Sequence, residues 1–156
     1  MKETTIRKEW ESFGTEETRR LGCRFGEEAC PGQVYALSGD LGVGKTVFAQ
    51  GFAAGLGIKG PVNSPTFTIM QLYGRGRLPL CHMDAYRLEN EEELEAIGGH
   101  EYFGGRGVCL VEWPERVEEL LPEDTFWIRI EKDYDRGPDF RRITLTREVR
   151  DETAGC

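Results

Sequence analysis

Residues 39–46 read GDLGVGKT and match the pattern G-x-x-x-x-G-K-[ST] at every fixed position. The apolar run Gln33–Leu37 precedes this stretch and apolar residues at helical spacing follow it, which places it between a buried strand and an amphipathic helix. Its glycines allow a curled backbone whose N–H groups face a phosphate, and the helix offers its positive end to the same anion. The stretch predicts an α/β chain with the three-layer P-loop NTPase fold and a mixed, largely parallel central sheet.

Each residue of this loop is a predicted nucleotide contact. Lys45 supplies a positive charge for the outer phosphates and is a predicted catalytic residue, and the hydroxyl of Thr46 can ligate Mg²⁺. The alternative is a glycine-rich turn with a surface lysine, which the complete pattern and its flanks disfavour. The predicted cofactors are therefore ATP and Mg²⁺, and the predicted contacts in this loop are Gly39, Asp40, Leu41, Gly42, Val43, Gly44, Lys45 and Thr46.

Two carboxylates follow apolar segments at places where strands are predicted to end. Asp84 follows Leu80–Met83, and Glu112 follows Gly107–Val111. In parallel strands both would emerge at the edge of the sheet where the glycine loop lies. A nucleotide hydrolase needs an acid there to position Mg²⁺ or the attacking water. Spacing alone does not say which acid holds the metal, and each could instead be a solvated or helix-capping residue.

The rest of the chain predicts further elements of one domain. Thr4–Trp10 is a candidate first strand, and Thr15 is a candidate N-cap for the helix that follows. Gly51 and Gly55 weaken the helix after the loop by up to about 1 kcal/mol each relative to alanine, so packing must stabilise it. Residues 1–150 are predicted to form a single P-loop ATPase domain, and residues 151–156 a disordered tail. Alternating apolar residues predict two antiparallel edge strands, marked by Phe126, Ile128, Ile130, Ile143 and Leu145.

Composition narrows the function classes. The 156 residues carry a formal net charge of -8, which disfavours direct binding to nucleic acid. The apolar runs are far shorter than the roughly 20 residues of a membrane span, and the first residues have no apolar signal core. These features predict a cytoplasmic protein that reaches any nucleic acid through a protein partner.

The sequence allows functional and structural interpretations of several other residues. Trp113 could stack on a nucleotide base, although a tryptophan beside an apolar run is more often a core residue. The polar loop Asn63–Phe67 is either a switch segment or a plain proline turn. His82 is predicted to be a core histidine rather than a metal ligand. Four arginines are predicted to be surface charges: Arg106, Arg129, Arg141 and Arg142.

Four segments together resemble the TsaE (YjeE) family of bacterial P-loop ATPases, over roughly Thr18 to Ile130. They are residues 39–46, Val62–Phe67, His82–Arg87 and Leu110–Trp113. The resemblance implies that Thr46 and Glu112 ligate Mg²⁺. It implies that Asp84 orders the attacking water or the water shell of the metal. It further implies that Trp113 lies near the base and that Thr66 belongs to a loop that senses the γ-phosphate.

The same resemblance implies an ATPase that supports formation of threonylcarbamoyladenosine in tRNA. Its partners would be the TsaB and TsaD proteins, with tRNA contacted only indirectly and no membrane involved. Hydrolysis would be weak for the protein alone and dependent on these partners. The alternatives are a small-molecule P-loop kinase and an ATP-binding regulatory module with negligible hydrolysis. A GTPase is disfavoured because the base-reading N-K-x-D pattern is absent.

Overall fold

The structure is a computed structural model that describes residues 3–62 and 70–150. Thr66 and the predicted tail of residues 151–156 lie outside this part of the chain. Three short 3₁₀ segments accompany the helices and strands, at Gly99–Tyr102, Pro114–Leu120 and Tyr134–Arg136. In chain order the regular elements are β1 (Glu3–Ser12), α1 (Thr15–Glu28), β2 (Val34–Ser38), α2 (Lys45–Gly55), β3 (Met70–Tyr73), β4 (Leu80–Asp84), α3 (Glu91–Ala96), β5 (Val108–Glu112), β6 (Phe126–Lys132) and β7 (Arg141–Arg150).

The strands form one seven-stranded sheet in the order β1-β7-β6-β2-β5-β4-β3. Strands β6, β2, β5 and β4 are mutually parallel, whereas β7 and β3 run antiparallel to their neighbours. This arrangement confirms the predicted mixed, largely parallel sheet of an α/β fold. Strand β2 lies between β5 and β6, so the loop that follows β2 has one of these strands on each flank.

The prediction of two antiparallel edge strands is wrong in one respect. The two strands β6 and β7 do pair antiparallel, but β6 also pairs in parallel with β2, and β7 pairs along its length with β1. Both strands are therefore inside the sheet. Alternating apolar residues indicate that one face of a strand is less buried than the other. They do not indicate that the strand lacks a hydrogen-bonded strand on one side.

The start of α1 also differs from the prediction. The helix begins at Thr15 itself, and the capping position is Gly14, which has no side chain to accept a hydrogen bond. The backbone N–H of Phe13 instead donates to the carboxylate of Glu17 at 2.8 Å. An acidic residue in the first turn thus satisfies the donor that precedes the helix, and it also lies at the positive helix end.

Helices α1 and α2 pack against each other through glycines. A Cβ atom built on Gly51 would lie 2.0 Å from the carbonyl oxygen of Arg19, and one on Gly55 would lie 2.1 Å from that of Cys23. The partners on α1 are equally close, since a Cβ on Gly26 would lie 2.1 Å from the Phe52 carbonyl oxygen. The two backbones therefore approach more closely than any side chain would allow.

The main core lies beneath this helix pair. Phe48 and Phe52 of α2 are fully buried, and the Phe52 ring lies 4.8 Å from the ring of Tyr35 on β2. These contacts fix α2, and with it the end of the phosphate loop, on the sheet. Among the residues that the structure describes, no helix is long and apolar enough to cross a bilayer.

Candidate nucleotide-binding site

The loop between β2 and α2 has the curled backbone that the sequence predicts. Gly39, Gly42 and Gly44 have φ values of 148°, 76° and 113°, which L-residues with side chains rarely adopt. Gly39 is required for a second reason, because a Cβ there would lie 2.6 Å from the carbonyl oxygen of Ile130 on β6. The loop glycines therefore serve both curvature and close packing.

The loop runs directly into the N-terminus of α2. Gly44 occupies the capping position, and the N–H of Phe48 donates to its carbonyl at 3.0 Å. The first helical N–H groups have no partner within a helix, so they and the helix dipole favour an anion here. Thr46 lies in this first turn and is exposed.

Lys45 is held inside the site. Its Nζ donates to the carbonyl of Gly39 at 2.7 Å and lies 3.6 Å from the centre of the Trp113 ring. Burial lowers the pKa of this amine from its ordinary value. The negative charges of nearby carboxylates oppose that effect on the pKa, in decreasing order from Glu112, Asp84, Glu115 and Asp40.

The two predicted carboxylates lie at the loop edge of the sheet. Asp84 and Glu112 are register partners in the parallel pair β4–β5, and Glu112 also pairs with Leu37 of β2. The predicted convergence of both acids beside the glycine loop is therefore confirmed. Glu112 is buried, whereas Asp84 is partly exposed and accepts a hydrogen bond from the N–H of Tyr86 at 2.9 Å.

The two acids have different surroundings. Burial raises the pKa of the Asp84 carboxyl, and the hydrogen bond from Tyr86 lowers it in part. The neighbouring charge of Glu112 raises the pKa of Asp84 further, while His82 and Lys45 lower it. A partly exposed acid with a raised pKa in a nucleotide site is a candidate for handling water or a proton.

His82 is a site residue whose role the sequence did not reveal. It is fully buried, as predicted for a core histidine, but its Nε2 lies 2.6 Å from Oε2 of Glu112. Its Nδ1 is buried without a hydrogen-bond partner among the described residues. Because a carboxylate accepts hydrogen bonds, Nε2 is the donor of this pair. Two features of the sequence bear on this role: His82 lies in the same strand two residues before Asp84, and it begins the segment His82–Arg87.

Trp113 lies beside Lys45, directly after the end of β5. Its backbone has φ 55°, in the left-handed region, directly after β5. This turn brings the ring over the Lys45 amine and to 4.9 Å from the ring of Tyr86. The contact between Trp113 and a nucleotide stays a prediction, and the described neighbours of the ring are Lys45 and Tyr86.

The prediction that Arg141 is a surface charge is wrong. Its Nε donates to the carbonyl of Val43 in the phosphate loop at 2.7 Å. Its Nη1 donates to the carbonyls of Pro138 and Phe140, both at 2.8 Å. Arg141 thus ties the loop to the start of β7. No local pattern marks this role, because the contact joins residues 98 positions apart in the chain.

The donor set fits a nucleotide-bound Mg²⁺ ion. Within the described ranges no three histidine, cysteine or acidic side chains are grouped to hold a metal by themselves. Mg²⁺ commonly uses one or two protein oxygens together with water and substrate phosphates. The Thr46 hydroxyl and a carboxylate from Glu112 or Asp84 supply oxygens of this kind. The loop supplies the place for the phosphates.

Comparison with known proteins gives the family. The model of the family described as threonylcarbamoyl adenosine biosynthesis protein TsaE matches residues 13–143. The chain belongs to the TsaE family. This TsaE chain is 50% identical over 137 residues to the tRNA threonylcarbamoyladenosine biosynthesis protein TsaE of Bacillus subtilis (strain 168), covering 88% of this chain and 84% of that one.

A second TsaE relative and a solved structure agree with this assignment. The TsaE protein of Treponema pallidum (strain Nichols) is 45% identical over 119 residues, which cover 76% of this chain and 87% of that one. The crystal structure of Bacillus subtilis YdiB matches with a TM-score of 0.78 and 43% identity, covering 92% of this chain and 87% of that one. The P-loop fold predicted for this TsaE chain is thereby confirmed.

Proposed function

We propose that this TsaE protein binds ATP with Mg²⁺ in the glycine loop and hydrolyses it to support threonylcarbamoyladenosine formation in tRNA. The observation that carries the proposal is the meeting of three charged groups at one sheet edge. Lys45 from α2, Asp84 from β4 and Glu112 from β5 all border the curled loop. One cation for the phosphates and two acids for metal and water are what phosphoryl transfer to water requires.

Each side chain has a distinct part in the proposed mechanism. The loop backbone and Lys45 bind the phosphates, and Lys45 exchanges its bond to the Gly39 carbonyl for the charged ligand. The Thr46 hydroxyl and Glu112 would hold Mg²⁺, which would supply positive charge to neutralise the phosphates. His82 orients the Glu112 carboxylate from the buried side. Asp84 orders the attacking water.

Trp113 and Thr66 are the remaining residues of the proposed nucleotide site. Trp113 covers the Lys45 amine, and we place it among the residues that surround the phosphates. Thr66 is proposed to sense the γ-phosphate, on the resemblance of residues 62–67 to the family motif. Its position lies outside the part of the chain that the structure describes.

Replacing Asp84 by asparagine tests the hydrolytic step. The variant is expected to bind ATP with an unchanged Kd and to lose about 10²- to 10⁴-fold in turnover, the usual contribution of a positioned acid or base. The measurements are a nucleotide titration and a phosphate-release assay. Glu118→Gln, which removes one negative charge at an exposed position, is the control and should match the wild type. Full turnover in Asp84→Asn would exclude this role for Asp84 and favour a different catalytic acid.

The partners are proposed to be TsaB and TsaD. Arg141 contacts the loop, but its Nε and Nη1 donate to backbone carbonyls, so it is not poised to stabilise a transferring phosphoryl group. A partner can supply or arrange such a charge. The net charge of -8 fits a cytoplasmic protein that reaches tRNA only through its partners, without a membrane.

Adding TsaB and TsaD is therefore expected to raise ATP turnover by at least about tenfold, a lowering of the barrier by about 1.4 kcal/mol. Turnover should be measured for the protein alone, with each partner and with both. The Lys45→Ala variant with both partners controls for their own nucleotide hydrolysis. Absence of any stimulation would argue against the partner-dependent mechanism while leaving nucleotide binding intact.

A further inference from the structure

A cavity of about 390 Å³ lies between α1 and the outer strands β1 and β7 of the sheet. It lies toward the sheet edge opposite the phosphate loop, because Tyr35 and Phe126 in its lining stand at the starts of β2 and β6. We propose that this cavity binds a small organic anion with a flat apolar body, such as an aromatic carboxylate. The site is separate from the proposed nucleotide site, since its lining includes no residue of the phosphate loop and neither Asp84 nor Glu112.

Four aromatic side chains contribute to the wall of the cavity. The ring of Tyr35 stacks on that of Phe126 with the centres 4.3 Å apart, and the ring of Phe25 meets Tyr35 edge-on at 6.3 Å. Trp10 of β1 packs edge-on against Phe25 at 5.5 Å. A flat apolar ligand would therefore meet ring faces and ring edges, which are the contacts that aromatic groups prefer.

The charged side chains of the cavity are mostly cationic. Lys8 of β1, Arg24 of α1 and Arg147 of β7 carry positive charge, and Glu28 of α1 is the one acid among the described residues that line it. The whole chain has a formal net charge of -8, so the cavity is a local exception to the charge of the protein. A concave surface of one charge raises the local concentration of the opposite ion, which here is an anion.

Two of these cations have charges that no described residue neutralises. The side chains of Lys8 and Arg24 are exposed and make no hydrogen bond or ion pair within the described ranges. Arg147 is held in place instead, because its guanidinium lies 3.9 Å from the centre of the Phe126 ring and its Nε donates to the Asp124 carbonyl at 3.0 Å. Its Nη2 also lies 4.0 Å from the Asp124 carboxylate. Lys8 and Arg24 are therefore the expected anchors of the anionic group.

The cavity is large enough for a small molecule and is built on paired strands. Its volume falls within the roughly 300–1,000 Å³ that is usual for ligand pockets. Lys8 is the register partner of Leu145, and Ile6 is that of Arg147, and all four line the cavity. Side chains that a sheet already positions bind a ligand at a lower ordering cost than side chains on a mobile segment.

A fluorescence titration of the full chain with anilinonaphthalene sulfonate tests the proposal, because this probe joins flat rings to one negative charge. Lys8→Gln and Arg24→Gln should each raise its Kd by about two- to fivefold, as expected for the loss of one exposed ion pair. Glu28→Gln should lower the Kd by a similar factor, because it removes the opposing charge. Lys59→Gln removes an exposed positive charge outside the lining and is the control, with an unchanged Kd.

Two further titrations show where the probe binds and why. Uncharged N-phenylnaphthylamine has the same rings without the sulfonate, so its Kd should stay the same in every variant. Saturating ATP with Mg²⁺ should leave the sulfonate titration unchanged, because the phosphate loop lies at the other edge of the sheet. The anion site would be overturned by an absence of binding, by an unchanged sulfonate Kd in both Lys8→Gln and Arg24→Gln, by an equal change for the uncharged analogue, or by displacement of the probe by ATP.

Discussion

Replacing Lys45 by alanine is expected to remove most of the affinity for ATP. The amine is buried beside the loop and within the field of Glu112 and Asp84, so its charge is the main cation available to the outer phosphates. Removing one partner of a buried, hydrogen-bonded charge pair costs about 2–5 kcal/mol, which is roughly a 30- to 4,000-fold increase in Kd. A fluorescence titration of ATP in the presence of Mg²⁺ measures the change.

The Lys45 result needs a control for charge and for folding. Lys59→Ala removes the same charge at an exposed position and should leave the Kd for ATP unchanged. Thermal unfolding of Lys45→Ala should remain cooperative, because the lost hydrogen bond to Gly39 is a single interaction. Wild-type affinity in Lys45→Ala would contradict the assignment of the loop as the phosphate site.

Replacing Gly51 by alanine is expected to destabilise the fold, although alanine is the better helix former. Helix propensity alone predicts a gain of about 1 kcal/mol in the free energy of unfolding. The new Cβ would, however, lie 2.0 Å from the Arg19 carbonyl oxygen and 2.9 Å from its carbonyl carbon. These are backbone atoms, so the helices must move apart, and overpacking of this kind costs about 1–3 kcal/mol or more. The tertiary contact therefore outweighs propensity.

Urea unfolding measures this effect as a lower midpoint with an unchanged slope. Gly74→Ala is the matched control, since a Cβ at Gly74 meets nothing within 4 Å and its φ is not positive. That change should alter the free energy of unfolding by less than about 0.5 kcal/mol. A more stable Gly51→Ala variant would show that α1 and α2 pack less closely than described.

The glycines show which structural features a local sequence pattern predicts and which it does not. For the phosphate loop, the order of glycines, lysine and threonine was sufficient to predict the curled backbone, because φ preferences act within a few residues. For Gly51 and Gly55, the same residue type read along the helix indicated only a weakness. Their purpose depends on Arg19 and Cys23, which lie about 30 residues away on another helix.

The two carboxylates likewise have one feature that the sequence predicts and one that it does not. That Asp84 and Glu112 meet beside the loop could be predicted, since the carboxyl ends of parallel strands share an edge. That the Glu112 carboxylate is bonded to His82 could not, because this bond depends on which side chains of β4 and β5 face the same layer. A core histidine and a histidine that positions a metal ligand look identical in sequence.

The amino-acid sequence alone was sufficient to predict the nucleotide loop, the α/β class, the two strand-end acids and the family. Each of these depends on short runs of consecutive residues. Folding was needed to place β6 inside the sheet and to join Arg141 to the loop. Those relations link residues about 90 to 100 positions apart. They depend on strand order and packing, which no local preference of the backbone specifies.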